Sequence, residues 1–194
     1  MEKGGLAAAL IARGVTQTTA LFFGDEMRVG LLGHVRRRWT PRGVKLRQRL
    51  QFGRVWRYLA LAVDGRHGRL AWTWTENMKG ASIAPAVQHW REAAVEAVVW
   101  DRAGAHRTHV VRAVGLPLIE QPAGSPELNP AERIFEELRR VIEGRLYDTI
   151  EEKVAAVEHE LAALAADPAR VRRLAGWAWI TEACHALPLH AAPL

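Results

Sequence analysis

Apolar positions along this chain repeat with two periods, and the switches between them divide it into elements. Leu21-Phe22-Phe23 is a short apolar run ending at Gly24-Asp25-Glu26, which predicts a buried strand that delivers carboxylates at its exit. Val55 to Val63 predicts a second strand, Asp64-Gly65-Arg66-His67-Gly68 a turn, and Leu70 to Thr75 the returning strand, with Trp72 and Trp74 alternating with threonines. Together these make a hairpin or a meander. Ser82 to Glu92 has helical period, with Ile83, Val87 and Trp90 as its inward stripe. Val95 to Trp100 reads as a strand with Asp101 where it leaves the sheet, His106 to Val114 as a short helix, and Pro117-Leu118-Ile119 as a short strand.

The best-specified helix comes next. Asn129 is a good N-cap, Pro130 suits the first helical position, and Glu132 stands where a carboxylate can bond back to the cap. Ile134, Phe135, Leu138, Val141 and Ile142 form one apolar face, and Gly144 is a stop. Taken alone, this helix allows Glu132 to be no more than the partner in a capping box. Thr149 and Glu152 form a second capping box, opening a helix with Ile150, Val154, Val157, Leu161 and Leu164 on one face. Pro168 ends it, and Val171 to Ala186 is a final helical piece carrying Trp177 and Trp179. Residues 1 to 18 are weakly patterned and read as a frayed lead or the remnant of a connection.

Length allows one sizeable core, so the expectation is a single domain over 1–194, with its core at about 20–165 and a helical extension at 166–194. The single cysteine, Cys184, excludes an intramolecular disulfide framework and a cysteine-rich zinc site. No apolar run has bilayer-spanning length, and the apolar stretch after Lys3 is too short for a signal peptide, so a cytoplasmic, nucleoid-associated protein without a membrane partner is expected.

Charge changes the picture more. The chain carries +6 overall, yet between Glu26 and Asp64 there are ten basic residues and no acidic one. A field that lopsided suits a polyanion, and Arg36, Arg37, Arg38, Arg42, Lys45, Arg47 and Arg49 are the expected DNA-backbone contacts. Lys45, Arg47 and Arg49 alternate with Leu46, Gln48 and Leu50, which predicts a strand with its charges on one face. Trp39 either stacks on an unpaired base or packs under the hairpin.

Three carboxylates stand at comparable places: Asp25 and Asp101 at strand ends and Glu132 in a first helical turn. Groups at strand ends of an open α/β sheet converge on one rim, and an all-oxygen trio suits a hard cation such as Mg²⁺. The element order is that of a ribonuclease H-like α/β fold, a mixed central sheet of antiparallel meander followed by parallel strands, flanked by helices.

At these residues the sequence resembles a known family. Phe22-Phe23-Gly24-Asp25-Glu26, Val98-Val99-Trp100-Asp101-Arg102-Ala103-Gly104-Ala105-His106 and Ser125-Pro126-Glu127-Leu128-Asn129-Pro130-Ala131-Glu132 are similar to the three signature blocks of DDE-superfamily endonucleases. Within it, the blocks look like those of bacterial insertion-sequence transposases related to the mariner elements. The resemblance implies metal-dependent DNA cleavage and strand transfer, with Asp25, Asp101 and Glu132 holding two Mg²⁺ or Mn²⁺ ions. It implies DNA partners, namely element ends and target, and a homodimer on DNA. Glu26, Arg102, His106 and Asn129 would support the trio from beside it.

Two departures accompany it. Arg102 stands where members carry Asn, and a cation there either repels the ions or holds a phosphate. Members generally begin with helix-turn-helix modules, and none precedes the Asp25 strand here, so an upstream-frame polypeptide is the expected source of recognition. An inactive DNA-binding remnant and another ribonuclease H-like nuclease are the alternatives.

Overall fold

The structure is a computed structural model that describes residues 5–33, 39–45, 47, 49 and 51–190. Five strands form one mixed sheet in the order β3-β2-β1-β4-β5: β1 (Leu21–Gly30), β2 (Trp56–Asp64), β3 (Arg69–Thr75), β4 (Ala97–Trp100) and β5 (Leu118–Glu120). The first three run antiparallel, and β1, β4 and β5 run parallel, the mixed architecture expected from the sequence. Alternation along β1 sends Phe23, Met27 and Val29 to one core and Phe22 to the other.

Two layers of helices cover the sheet. On one face lies α2 (Gly80–Glu92), its Ile83, Val87 and Trp90 fully buried as their spacing predicts. On the other lie α4 (Ala131–Ile142) and α5 (Ile150–Ala165), where Ile134, Phe135 and Leu138 are buried and each contributes about 1.5–3 kcal/mol. The Thr149 hydroxyl caps α5 by accepting from Glu152 N at 3.2 Å. The Glu152 carboxylate accepts in return from Asp148 N, one residue before the cap.

Four sequence expectations need correction. The strand carrying Asp25 does not end there: β1 continues to Gly30 because β2 pairs with it residue for residue from Phe23 to Gly30. Lys45, Arg47 and Arg49 are exposed and belong to no strand, their alternation having no partner strand to satisfy; Leu46, Gln48, Leu50 and the Arg36, Arg37 and Arg38 contacts lie outside the described residues. The weakly patterned lead folds as α1 (Gly5–Ile11), and its Leu6 and Leu10, one turn apart, are buried in the main core. The final piece breaks at Gly176 into α6 (Pro168–Ala175) and α7 (Ala178–His185), because α6 packs against the Asp64 turn. A Cβ on Gly65 would lie 2.1 Å from Ala175 O, and one on Gly68, at φ +74°, 2.1 Å from Pro168 O.

Asp64 is the buried anchor of the turn between β2 and β3. Its carboxylate accepts from the backbone N–H of Arg66 and His67 and pairs with the His67 ring and the Arg69 guanidinium. Among the described residues, no helix is long and apolar enough to cross a membrane.

Candidate active site

The parallel strands end together, and that is where the carboxylates emerge. Pairing of β1 with β4 stops at Phe23 and Val99, whereas β1 runs on beside β2, so Asp25 occupies a stretch of strand that has lost its neighbour on one side. Asp101 follows β4 directly. Beyond β5, the chain bonds Gln121 N to Trp100 O at 2.7 Å, crosses a loop and enters α4, which brings Glu132 over the same rim. Asp25, Asp101 and Glu132 line one cleft of about 370 Å³ together with Arg102, Gln121 and Asn129.

Asn129 fixes the first of them. Its Nδ2 donates to Gly24 O at 2.8 Å and to Asp25 Oδ2 at 3.2 Å, while its Oδ1 accepts from Ala131 N at 3.1 Å. One buried amide therefore caps α4 and ties it to β1. Gly24 allows the strand to lie against α2, where a Cβ would stand 3.3 Å from the Trp90 ring. The Asn129 N–H is taken by Pro126 O, and the Glu132 carboxylate contacts Arg139 at 3.4 Å, so Glu132 is not engaged as a capping-box partner.

Electrostatics separates the three acids. Burial, with the charges of Glu26, Glu132 and Asp101, pushes Asp25 up to about 7 despite the Glu26 N–H donated to it. Asp101, with a half-exposed side chain, is held below the usual carboxylate range by His106 first and then by the Ala103 N–H.

Alternation turns Glu26 to the opposite face of β1, where it meets His106. His106 is buried, stacks on Trp100 at 3.7 Å between centroids, and places Nε2 3.1 Å from Glu26 Oε2. Its Nδ1 lies 2.7 Å from Asp101 Oδ1, an ion-pair contact rather than an aligned hydrogen bond. Burial opposes the charged ring, but the two carboxylates outweigh it and raise its pKa to about 9, whereas burial raises Glu26. His106 thus bridges two acids.

The remaining expected residues are spread. Glu127 faces solvent. Arg102 Nε lies 3.5 Å from Glu120 Oε2 beside the cleft. Trp39 is fully exposed, so it does not pack under the hairpin, and Arg42 is exposed with it. Sequence reasoning passed over Gln121, buried at the exit of β5; its only signal was that position. Among the described residues, no three His, Cys, Asp or Glu side chains stand close enough together to hold a metal ion as they are placed. The trio shares a cleft and a field without meeting.

Residues 20–153 match the family described as DDE superfamily endonuclease. No curated protein matches the chain. Solved structures with a similar backbone include the Mos1 transposase paired-end complex with left transposon end (TM-score 0.60, 13% identity, 93% of this chain and 61% of that one). The Mos1 strand transfer complex (0.62, 13%, 93% and 60%) and the mariner Mos1 paired-end complex with Mg (0.61, 14%, 93% and 61%) are similar to the same degree. At that identity the likeness shows the fold, which is ribonuclease H-like. This chain spans about three fifths of the matched Mos1 chains, 61% of the first.

Proposed function

Because the chain belongs to the DDE superfamily of endonucleases, we propose that it is a transposase catalytic domain that cuts and joins DNA with divalent metal. The observation that carries the reading is one cleft lined by Asp25, Asp101 and Glu132, which come from three elements distant in sequence.

The donor set fits Mg²⁺ or Mn²⁺ in kind. All three groups offer oxygen, and Asp25, raised to about 7 beside two further carboxylates, is short of positive charge. Asp25, Asp101 and Glu132 would hold the ions, two in this reading, and bound metal would activate water and offset charge on phosphodiester oxygens. Asn129 orients the Asp25 carboxylate, and His106 holds Asp101 while neutralising Glu26 behind it. Lys45, Arg47, Arg49, Arg42 and Trp39, with Arg36, Arg37 and Arg38, would hold the DNA backbone, since phosphate neutralisation dominates such affinity.

Element ends and target DNA are the substrates in this reading. A homodimer acts on them, a helix-turn-helix polypeptide from another frame supplies recognition, and the whole works in the cytoplasm at the nucleoid. One observation favours a second reading, a remnant that binds DNA without cutting: the trio is not gathered, and Arg102 sits beside it.

Nicking of supercoiled DNA by the purified protein in Mg²⁺ or Mn²⁺ separates the two. The Asp101→Ala variant is expected to lose nicking and keep salt-sensitive binding. Equal nicking by both proteins, or none by either at any divalent ion tried, would overturn the assignment.

A further inference from the structure

A second cavity of about 490 Å³ opens next to the cleft along β5, and Asp101 lines both. Its rim carries Arg13, Arg107 and Arg112, which come from the chain after α1, from the turn before α3 (His109–Arg112) and from α3 itself. Their convergence is tertiary, and all three are exposed.

Its acids do not balance them. Glu120 is shared between two guanidiniums, with Arg107 Nε 3.5 Å from one oxygen and Arg102 Nε 3.5 Å from the other. One carboxylate cannot neutralise both, and Asp101 is already paired with His106. Arg13 and Arg112 add two further charges, so a net cationic rim leads from the outer edge of the sheet to the cleft. Between the arginines the apolar part of the wall is offered by the half-buried Pro117 and Leu118, with Leu116 and Ile119 buried behind them.

We infer that this groove takes an unpaired nucleic-acid strand next to the cleft, its phosphates on Arg13, Arg107 and Arg112 and its bases turned to the apolar wall. The inference rests on the nuclease reading for the purpose of the groove but not for its chemistry. Phosphodiester oxygens match guanidinium donors in charge and geometry. A duplex offers only its outer backbone to a recessed apolar wall, whereas an unpaired strand can turn base faces into it.

The test is binding, read by fluorescence anisotropy in EDTA with a labelled single strand and the same sequence as duplex. Losing two phosphate contacts lowers the salt slope for a single strand by about 1.4, roughly twenty-fold in affinity at about 0.1 M salt. The R13A/R112A double variant is expected to show that loss on the single strand and a loss below about three-fold on the duplex, whose contacts the proposed function assigns to the basic segment. R13K/R112K keeps the charge and should keep the slope, while an unchanged melting temperature for each variant shows that the fold is intact. An unchanged single-strand slope in R13A/R112A, or an equal or larger loss on the duplex, overturns the proposal. Metal is absent from the assay, so failure of nicking refutes the nuclease reading without moving this result, and an unchanged slope in a protein that nicks refutes only the groove.

Discussion

Replacing Asp25 with Asn is expected to stabilise the metal-free protein while removing its response to metal. In the folded chain Asp25 keeps its proton up to about 7, against 3.8 for an ordinary aspartate. Between those values the folded state binds more protons than the unfolded one, so wild-type stability falls as pH rises and carries the full penalty above about 7. A gap of about 3 in pKa corresponds to about 4 kcal/mol. Asn removes that cost and forfeits something in return. Asp25 accepts from Glu26 N at 2.8 Å and from Asn129 Nδ2 at 3.2 Å, and an amide can accept only one of the two. Leaving the other donor short costs about 1–3 kcal/mol, so the net gain should be about 1–3 kcal/mol.

Urea denaturation at pH 8 in a chelator measures this gain directly. Repeating it downward in pH should shrink the difference between the two proteins below 7, reverse it between about 4.5 and 6, where the remaining penalty drops under the cost of the lost hydrogen bond, and leave only that cost well below 3.8, where the carboxyl is protonated in both states. Adding Mg²⁺ at about ten times its dissociation constant should return about 1.4 kcal/mol to the wild type and markedly less to the variant. A variant no more stable than wild type at pH 8, or equal Mg²⁺ stabilisation of both, would refute the claim that an under-compensated carboxylate waits in this cleft.

Asn129→Ala should lose about 2 kcal/mol in urea denaturation, since both the α4 cap and the tie to Gly24 go; Asn129→Asp keeps the cap but sets a buried carboxylate against Gly24 O and Asp25, so at pH 8 it should lose at least as much. Asp64 should stabilise the protein at neutral pH: burial opposes its charge, but donors from Arg69 and His67 win and lower its pKa below 3.8. That contribution is complete above the unfolded value and is lost as pH falls through the folded one, so Asp64→Asn should cost about 3 kcal/mol at pH 7 and approach wild type only well below 3.8, as followed by acid titration of the unfolding midpoint. Reversing the charges at Arg42, Lys45, Arg47 and Arg49 should weaken duplex binding and flatten its salt slope in anisotropy titrations, and an unchanged slope would return that segment to ordinary surface.

Where local pattern and tertiary demand agreed, the sequence could be read directly. Ile83, Val87 and Trp90, the face of Ile134, Phe135 and Leu138, and the Thr149 cap all follow from positions three or four residues apart, and each is buried or bonded as its spacing requires. Reading failed where a partner decided the outcome. Gly24-Asp25-Glu26 has the composition of a turn, and only the eight-residue register with β2 holds it extended. The Lys45 to Leu50 stretch has the alternation of a strand and no strand to pair with its described residues.

The site divides along the same line. That Asp25, Asp101 and Glu132 would line one cleft could be read ahead because Asp101 follows a strand, Glu132 opens a helix and Asp25 lies just past the point where β1 loses its parallel neighbour β4, positions that share a rim. What surrounds them could not, because it depends on which face of β1 a neighbour occupies. Glu26 follows Asp25 in sequence yet lies across the strand from it, and His106 is what carries charge past that barrier, touching Glu26 with one ring nitrogen and Asp101 with the other. Any change in the charge on Asp101, including loss of its carboxylate, must therefore be felt by a buried acid on the far side of the sheet. Asp101→Ala would leave Glu26 and His106 as an isolated buried pair, so its effect on stability should exceed that of removing Glu132, whose ion-pair partner Arg139 is itself part-exposed and free to return to water.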